Sequence, residues 1–490
     1  MKKIFLALMM ASMTAAPFLA FAQSGAAANA ASDDLDALFA DPSSAVIAEA
    51  AVVDNPESAV FGGNAFSWTG EFSSDIGISG GYKELAPSME ELKNPTERLS
   101  VGIGAKLSFD ARPDKNYRVF GKFTTDYPFM TRFTASDPQG AEAAYSLNNI
   151  KLFELFSDFN YKEKVFFRFG KQTAGWGLSR FYQIADPLTV GVKDPSNPSA
   201  DLEGPIALKV AFPFGLNNLY FYSAVKESYL PSNVGKASIR DVGVGMKGDF
   251  LIPLPANKYV GNADFTVGAY GQRNLSPKAI AGLSTSVGNF QIFTDQALSW
   301  GLDSYRLTKD VLPGPPGFAI YDVEKPKDGL FYRATAGTMY VNNDWHFTFY
   351  GEYMFSSSGS SDRKYLEKWT NRLYAEMAPA SLLTPELSFS DLFGYQSRNN
   401  SGVSLSWSEL FGNDKFGFSA LWLQNWVDFS GMAKPTVSFK PFDHVTLETG
   451  ATVVWGEDRS EWVVKNSDAV TQSPKRLSGF LSVKIGGGKF

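Results

Sequence analysis

Lys106, Arg118, Lys122, Glu154, Asp158 and Arg168 stand at alternate positions of segments whose intervening residues are mainly apolar. Ionisable groups in that arrangement form one charged face of a strand, because successive side chains leave opposite sides of it. The same parity adds Lys209, Lys247, Asp249, Arg333, Glu352 and Glu448, together with Glu71, Asp75, Asp110, Asp126, Asp264, His346, Arg476 and Lys484. On the lipid side of a membrane each Arg or Lys would cost ~2–4 kcal/mol at the midplane. These groups are therefore expected around water, where their chemistry is electrostatic attraction and orientation of passing solutes. Lys106, Arg118, Lys122 and Arg168 read as a basic wall, with Glu154 and Asp158 between them. The same charges read equally well as ion pairs that stiffen the wall.

Other chemistry finds little support. The chain has two histidines, His346 and His444, far apart and without metal-ligand spacing, and no cysteine, so no disulfide or thiolate site can form. Gly243-Val-Gly245-Met-Lys-Gly248 has the letters of a dinucleotide fingerprint but falls inside a strand with no helix following, so its glycines are read as clearing space on an inner wall. No catalytic, cofactor or metal residues are expected. The net charge of −6 becomes −8 if Lys2 and Lys3 are removed, an acidic balance that argues against nucleic acid as a partner.

The elements that must carry the charged face are strands. Between Leu99 and Asp110, Val101, Ile103, Ala105, Leu107 and Phe109 share one parity and Ser100, Gly102, Gly104, Lys106, Ser108 and Asp110 the other. This is the pattern of a membrane-spanning β-barrel. Sixteen such segments are predicted: 65–81, 99–110, 116–127, 149–161, 165–172, 205–213, 218–226, 239–251, 262–273, 328–341, 344–356, 401–411, 414–427, 432–440, 443–456 and 475–487. Strand 414–427 is ambiguous: Phe418, Trp422 and Trp426 share one parity and Leu421 and Leu423 the other, which suits an oligomer contact or a wall beneath a folded-in loop. Brief turn-rich connections alternate with long ones at 82–98, 128–148, 173–204, 274–327, 357–400 and 457–474. An even count in this phase places both termini on the short-turn side.

The ends suggest three regions. Met-Lys-Lys, an apolar run and Ala20-Phe21-Ala22 form an expected signal peptide, 1–22, cleaved before Gln23. Residues 23–62 are rich in Ala and Asp, with a helical candidate at Ser32–Phe39; a flexible periplasmic tail, a plug in the lumen and a docking peptide all fit. The barrel is expected over 63–490. Beyond the signal no stretch approaches ~18 uninterrupted apolar residues, and the mean hydropathy of −0.14 is compatible with a barrel, in which only alternate residues are apolar.

Sixteen strands, a long third outer loop and a terminal Phe490 resemble the general and substrate-selective porins of Gram-negative-type outer membranes. The resemblance covers roughly Ala65 to Phe490. Phe169-Gly170-Lys171-Gln172, Trp176-Gly177, Asp186-Pro187, Asp194-Pro195 and Leu202-Glu203-Gly204-Pro205 are more narrowly similar to a pattern in bacterial porin-like proteins, spirochaetal ones included. The resemblance implies an outer-membrane location, a homotrimer, and recognition of Phe490 by the barrel assembly machinery. Because Leu481, Val483 and Ile485 have the opposite parity to Phe490, the glycines at 486–488 must shift the phase by one, or the last strand stops early. It also implies that loop 173–204 folds inward and narrows the channel. Its Tyr182, Ile184, Leu188 and Val190 supply apolar surface to bury, and Asp186, Asp194, Asp201 and Glu203, opposed by Arg180 and Lys193, would set the field there. A loop folded over the outside or against a neighbouring subunit is the alternative. The expected function is a water-filled channel for small polar solutes. An adhesin or structural barrel that displays its loops, and an outer-membrane hydrolase using His346 or His444, are the other readings.

Overall fold

In the computed structural model the chain is described over residues 66–489, except 94, 115, 128–130, 134–143, 147–149, 190–192, 199, 201–202, 226–237, 255–259, 274, 313–319, 378–395, 468–473 and 487. The expected signal peptide and the segment 23–62 lie outside the described residues, as do Val190, Asp201 and Phe490.

Eighteen antiparallel strands form one up-and-down barrel. They are β1 Phe66–Tyr82, β2 Thr96–Asp114, β3 Tyr117–Asp126, β4 Ile150–Tyr161, β5 Val165–Lys171, β6 Ile206–Phe214, β7 Asn217–Val225, β8 Gly243–Ile252 and β9 Val260–Gly271, followed by β10 Lys278–Val287, β11 Phe290–Trp300, β12 Leu330–Asn342, β13 Phe347–Ser356, β14 Asn399–Trp407, β15 Phe416–Asn425, β16 Gly431–Phe442, β17 Val445–Trp455 and β18 Leu477–Ile485. Each strand pairs with the next, and β1 pairs with β18 from Asp75 opposite Lys484 to Tyr82 opposite Leu477, so the ladder closes. Closure leaves no unpaired edge. At the end of the chain Gly488 faces Phe72 rather than the residue that β18 alone would bring there. Gly486, at φ 70°, lies in this one-residue shift, and Gly488–Lys489 continues β18 along β1.

All sixteen expected segments are strands, and the count is corrected to eighteen by β10 and β11, which lie inside the expected long connection 274–327. The reason is that both of their faces carry apolar residues. Ile280 and Phe293 point inward and are buried, while Leu283, Ile292 and Leu298 point outward and are exposed, so the two-residue alternation is blunted. The pair is joined by Gly288-Asn289, with Gly288 at φ 59° and Val287 opposite Phe290. That is a two-residue hairpin whose glycine supplies the left-handed backbone.

The exterior is an apolar belt. Trp68, Ile76, Val101, Phe221, Met246, Ile292 and Leu481 all lie exposed on outward positions. At the short-turn end, rings on adjacent strands meet around the barrel. Trp68 lies 5.8 Å from Phe109, Phe159 4.8 Å from Phe167, Phe290 4.7 Å from Tyr340, Phe347 6.2 Å from Trp407 and Phe416 4.7 Å from Phe439. An aromatic girdle beside an apolar belt is how a barrel meets a bilayer interface. Among the described residues no helix is long and apolar enough to cross a membrane, so the crossing elements are the strands.

The long connections carry structure of their own. Helix α1, Arg363–Met377, buries Trp369 and Leu373 with Val323 of the hairpin Arg306–Leu312/Ile320–Glu324 and Val464 of the short helix α2, Glu461–Lys465. Under this cap, burial pushes the Arg306 guanidinium down to about 10, with Tyr365 opposing and Arg333 adding to the fall. Lys278, at the mouth of β10, binds Asp303 at 2.6 Å.

Candidate functional site: the barrel lumen

The segment that follows β5 leaves the wall and packs inside the barrel. Trp176, Phe181, Tyr182, Ile184, Ala185 and Leu188 are buried in one cluster with inward residues of the wall, among them Tyr222, Tyr270, Phe293, Met339, Tyr350 and Leu423. Glycines make the room. A Cβ at Gly268 would fall 2.9 Å from Trp176 Cζ3, one at Gly245 would fall 3.1 Å from Trp176 Cη2, and one at Gly402 would fall 2.6 Å from Phe181 Cδ2. Gly245 therefore does clear space on the inner wall, and the letters of the nucleotide fingerprint have a packing explanation. Leu421 and Leu423 on β15 also belong to this cluster, so that strand is apolar on both sides because the folded-in segment covers its inner face.

Two wall carboxylates hold the segment in place. Asp295 Oδ2 on β11 accepts Leu178 N–H at 2.7 Å, Ser179 N–H at 2.8 Å and Ser179 Oγ–H at 2.8 Å. Glu352 on β13 accepts Arg180 N–H at 2.9 Å and Phe181 N–H at 3.2 Å on one oxygen and Tyr182 N–H at 2.9 Å on the other. Tyr350 Oη also donates to Glu352, at 2.6 Å. Five consecutive backbone N–H groups, from Leu178 to Tyr182, are thus satisfied by two buried side chains. Irregular backbone away from water needs such partners. At the other end Glu154 accepts Thr173 N–H at 3.1 Å and Thr173 Oγ1–H at 2.6 Å, fixing the point where the segment leaves β5. Counted round the ring, β11 and β13 lie close to the far side from β5, so the segment crosses the lumen.

The remaining wall is charged. On β2 to β5, Arg112, Asp110, Arg118, Asp158 and Arg168 form a ladder: Arg112 to Asp110 at 3.1 Å, Arg118 to Asp110 at 3.0 Å and to Asp158 at 3.3 Å, and Arg168 to Asp158 at 2.7 Å. Aromatic faces back the cations. Arg168 lies 4.1 Å over Phe156, Arg118 5.1 Å over Phe120, and Lys122 5.7 Å over Phe153. Further round, Lys209 and Lys247 flank Tyr220 at 5.0 and 5.6 Å, and Lys247 meets Asp249 at 3.1 Å. Lys106 lies opposite Glu71 on the inward parity of β2, exposed. Glu448 on β17 pairs with Lys484 on β18 at 3.2 Å. Arg333 reaches Ser304 at 3.4 Å near the mouth.

Several residues have more local work than their charge suggests. Asp186 accepts Leu188 N–H, Thr189 N–H and Thr189 Oγ1–H, and Asp194 accepts Ser196 N–H and Oγ–H, so both carboxylates shape turns of the segment itself. Lys193 is buried, and Glu203 meets Lys171 at 2.9 Å. The Arg180 guanidinium lies over the Tyr350 ring, 5.3 Å from its centroid. His346 and His444 both sit in short turns with positive φ, and His346 Nε2 is 3.3 Å from Glu409. His346 is therefore a turn residue and not, as its parity suggests, part of a strand face. Asp295 escapes the sequence reading because its strand does; an acid inside Phe293-Thr-Asp-Gln-Ala297 is the signal that could have found it.

These features define a closed, membrane-spanning antiparallel β-barrel with a charged inner wall and a segment folded across its lumen. Solved structures of similar shape include Pseudomonas aeruginosa OccK8 (OprE), at 8% identity and TM-score 0.43, covering 87% of this chain and 98% of that one. Pseudomonas aeruginosa OpdL matches at 8% and 0.44 over 87% and 98%, and OpdK with vanillate at 8% and 0.43 over 87% and 99%. No family model and no curated protein matches the chain.

Proposed function

We propose that the protein is an outer-membrane channel for passive diffusion of small polar solutes, with segment 173–204 as its constriction. The observation that carries this reading is the division of the inner wall into two sectors. One, centred on Phe293, Tyr350 and Leu423, is mainly apolar and covered by the folded-in segment, whose backbone N–H groups take up its two carboxylates, Asp295 and Glu352. The other, running from β18 through β1 to β5, carries Lys484, Glu71, Lys106, Asp158 and Arg168, none of them fully buried. Ionisable side chains gathered on one inner sector are explained by water beside them, and a water path along that sector is what a passive channel needs. The ladder Arg118–Asp158–Arg168 is the group of charges proposed to set ion preference, together with Arg180 of the folded-in segment.

Single-channel recording in planar bilayers tests the proposal. The purified barrel is expected to give stepwise, steady currents at both polarities. A barrel that only displays its loops would give a folded, heat-modifiable band on a gel and no current.

A further inference from the structure

The two carboxylates that hold the folded-in segment are not equivalent. Asp295 works through one oxygen: Oδ2 takes the Leu178 and Ser179 N–H groups and the Ser179 hydroxyl, while Oδ1 is buried with no hydrogen-bond partner among the described residues. Glu352 works through both. Its Oε2 takes the Arg180 and Phe181 N–H groups and the Tyr350 hydroxyl, and its Oε1 takes the Tyr182 N–H. The difference decides what a proton does at each site. A carboxylate accepts at both oxygens, whereas a carboxylic acid has turned one of them into an O–H donor. On Asp295 the proton goes to Oδ1, beside the bare Cα of Gly282, and the three contacts at Oδ2 stay in place. On Glu352 there is no such vacant oxygen. Whichever one takes the proton, an N–H of the segment then faces an O–H, and the contacts on the other oxygen lose the strength that the charge gave them.

We infer that Glu352 is an acid-sensitive latch: its protonation releases Phe181 and Tyr182 from the wall, while Asp295 keeps its hold on Leu178 and Ser179. The Arg180 N–H also reaches Tyr350 Oη, at 3.0 Å, so the break falls beyond it. The titratable groups that face Glu352 are Tyr350, on its own strand, and Arg180 of the segment. The positions opposite it are Gly337 on β12 and Gly402 on β14, and the inward positions beside those, Thr335, Met339, Asn400 and Ser404, are uncharged residues. Asp295 stands opposite Thr335, two strands away, and feels Lys247 of β8 at longer range. The inference rests on the reading of segment 173–204 as the constriction, so acid is expected to widen the channel.

Two measurements keep the latch and the channel apart. Hydrogen exchange of the whole barrel, with protection taken relative to the free-peptide rate at each pH, is expected to show the amides of 181 and 182 losing protection between about pH 7 and about pH 4, where protein carboxyls take up protons. The amides of 178 and 179 are expected to keep theirs. Single-channel conductance is expected to rise over the same range and to become noisier. Glu352→Gln, which puts an N–H where the acid would put its O–H, should show the acid-state exchange already at neutral pH and no further change in acid, whereas Asp295→Asn should keep the acid response. The latch is overturned if 181 and 182 stay protected in acid, if 178 and 179 open with them, or if exchange at 181 and 182 in Glu352→Gln still depends on pH. Loss of protection at 181 and 182 with no change in conductance would support the latch and remove the constriction reading instead.

Discussion

Glu352 and Arg180 meet through the main chain: a carboxylate oxygen of Glu352 accepts the Arg180 N–H at 2.9 Å, while the Arg180 guanidinium turns away to lie over Tyr350. The wall thus fixes the backbone of the folded-in segment, while the Arg180 side chain packs on the buried Tyr350 ring. Removing the acceptor strands the Phe181 and Tyr182 N–H donors and the Tyr350 hydroxyl proton, while the Arg180 N–H keeps Tyr350 Oη at 3.0 Å, at a cost of about 1–3 kcal/mol for each group left unsatisfied. Glu352→Ala is expected to release the segment and raise single-channel conductance and current noise. Tyr350→Phe, which deletes one donor and leaves the acceptor, is expected to change conductance far less.

Trp176 fills the notch made by Gly245 and Gly268, so its loss and the loss of the notch should act alike. Trp176→Ala is expected to weaken docking of the segment by about 3–5 kcal/mol, the usual range for deleting a buried aromatic. Gly268→Leu is expected to expel the indole. The barrel's ladder uses neither side chain, so both variants should keep heat-modifiable mobility while segment 173–204 becomes cleavable by protease in intact barrels.

Asp158 is shared by Arg118 and Arg168 at 3.3 and 2.7 Å. Asp158→Ala leaves two guanidinium groups without their common carboxylate and should make the lumen more positive. The reversal potential in a salt gradient is expected to move toward anion preference. Arg168→Ala should move it the opposite way.

Asp303 provides a pH signature outside the staves. Burial would raise its carboxyl, but Lys278 at 2.6 Å and the Ser276 N–H at 2.8 Å outweigh that, and the net shift is downward. A carboxyl depressed in the folded state contributes stability above its unfolded value, and that contribution is lost as pH falls from the ordinary carboxylate range through the lower folded value. Heat-modifiable mobility measured against pH should therefore show a loss of stability in that acidic window. Asp303→Asn should weaken the barrel at neutral pH by about 1.5–3 kcal/mol, the range for hydrogen bonds to charged groups, and flatten the slope.

Alternation was readable wherever the two faces of a strand meet different surroundings. Lys106 against Leu107, and Glu352 against Tyr353, show lumen and exterior at a glance. Where a protein segment replaces water inside the barrel, the inner face becomes apolar as well. Ile280 and Phe293 hid β10 and β11 in this way, and Leu421 and Leu423 blurred β15. Asp295 vanished with its strand. The roles of Asp186, Asp194 and Glu154 were hidden for another reason: a carboxylate that caps a turn or holds a loop root is indistinguishable in sequence from one that faces a solute.

The most direct test of the account is modification of single cysteines during current recording. Lys106→Cys should respond to a charged methanethiosulfonate with a stepwise change in open-channel current, because position 106 faces the water path, whereas Val101→Cys, on the lipid side of the same strand, should give no change. Current through a folded barrel that ignores modification at 106, or responds at 101, would contradict a channel running along the charged sector of the wall.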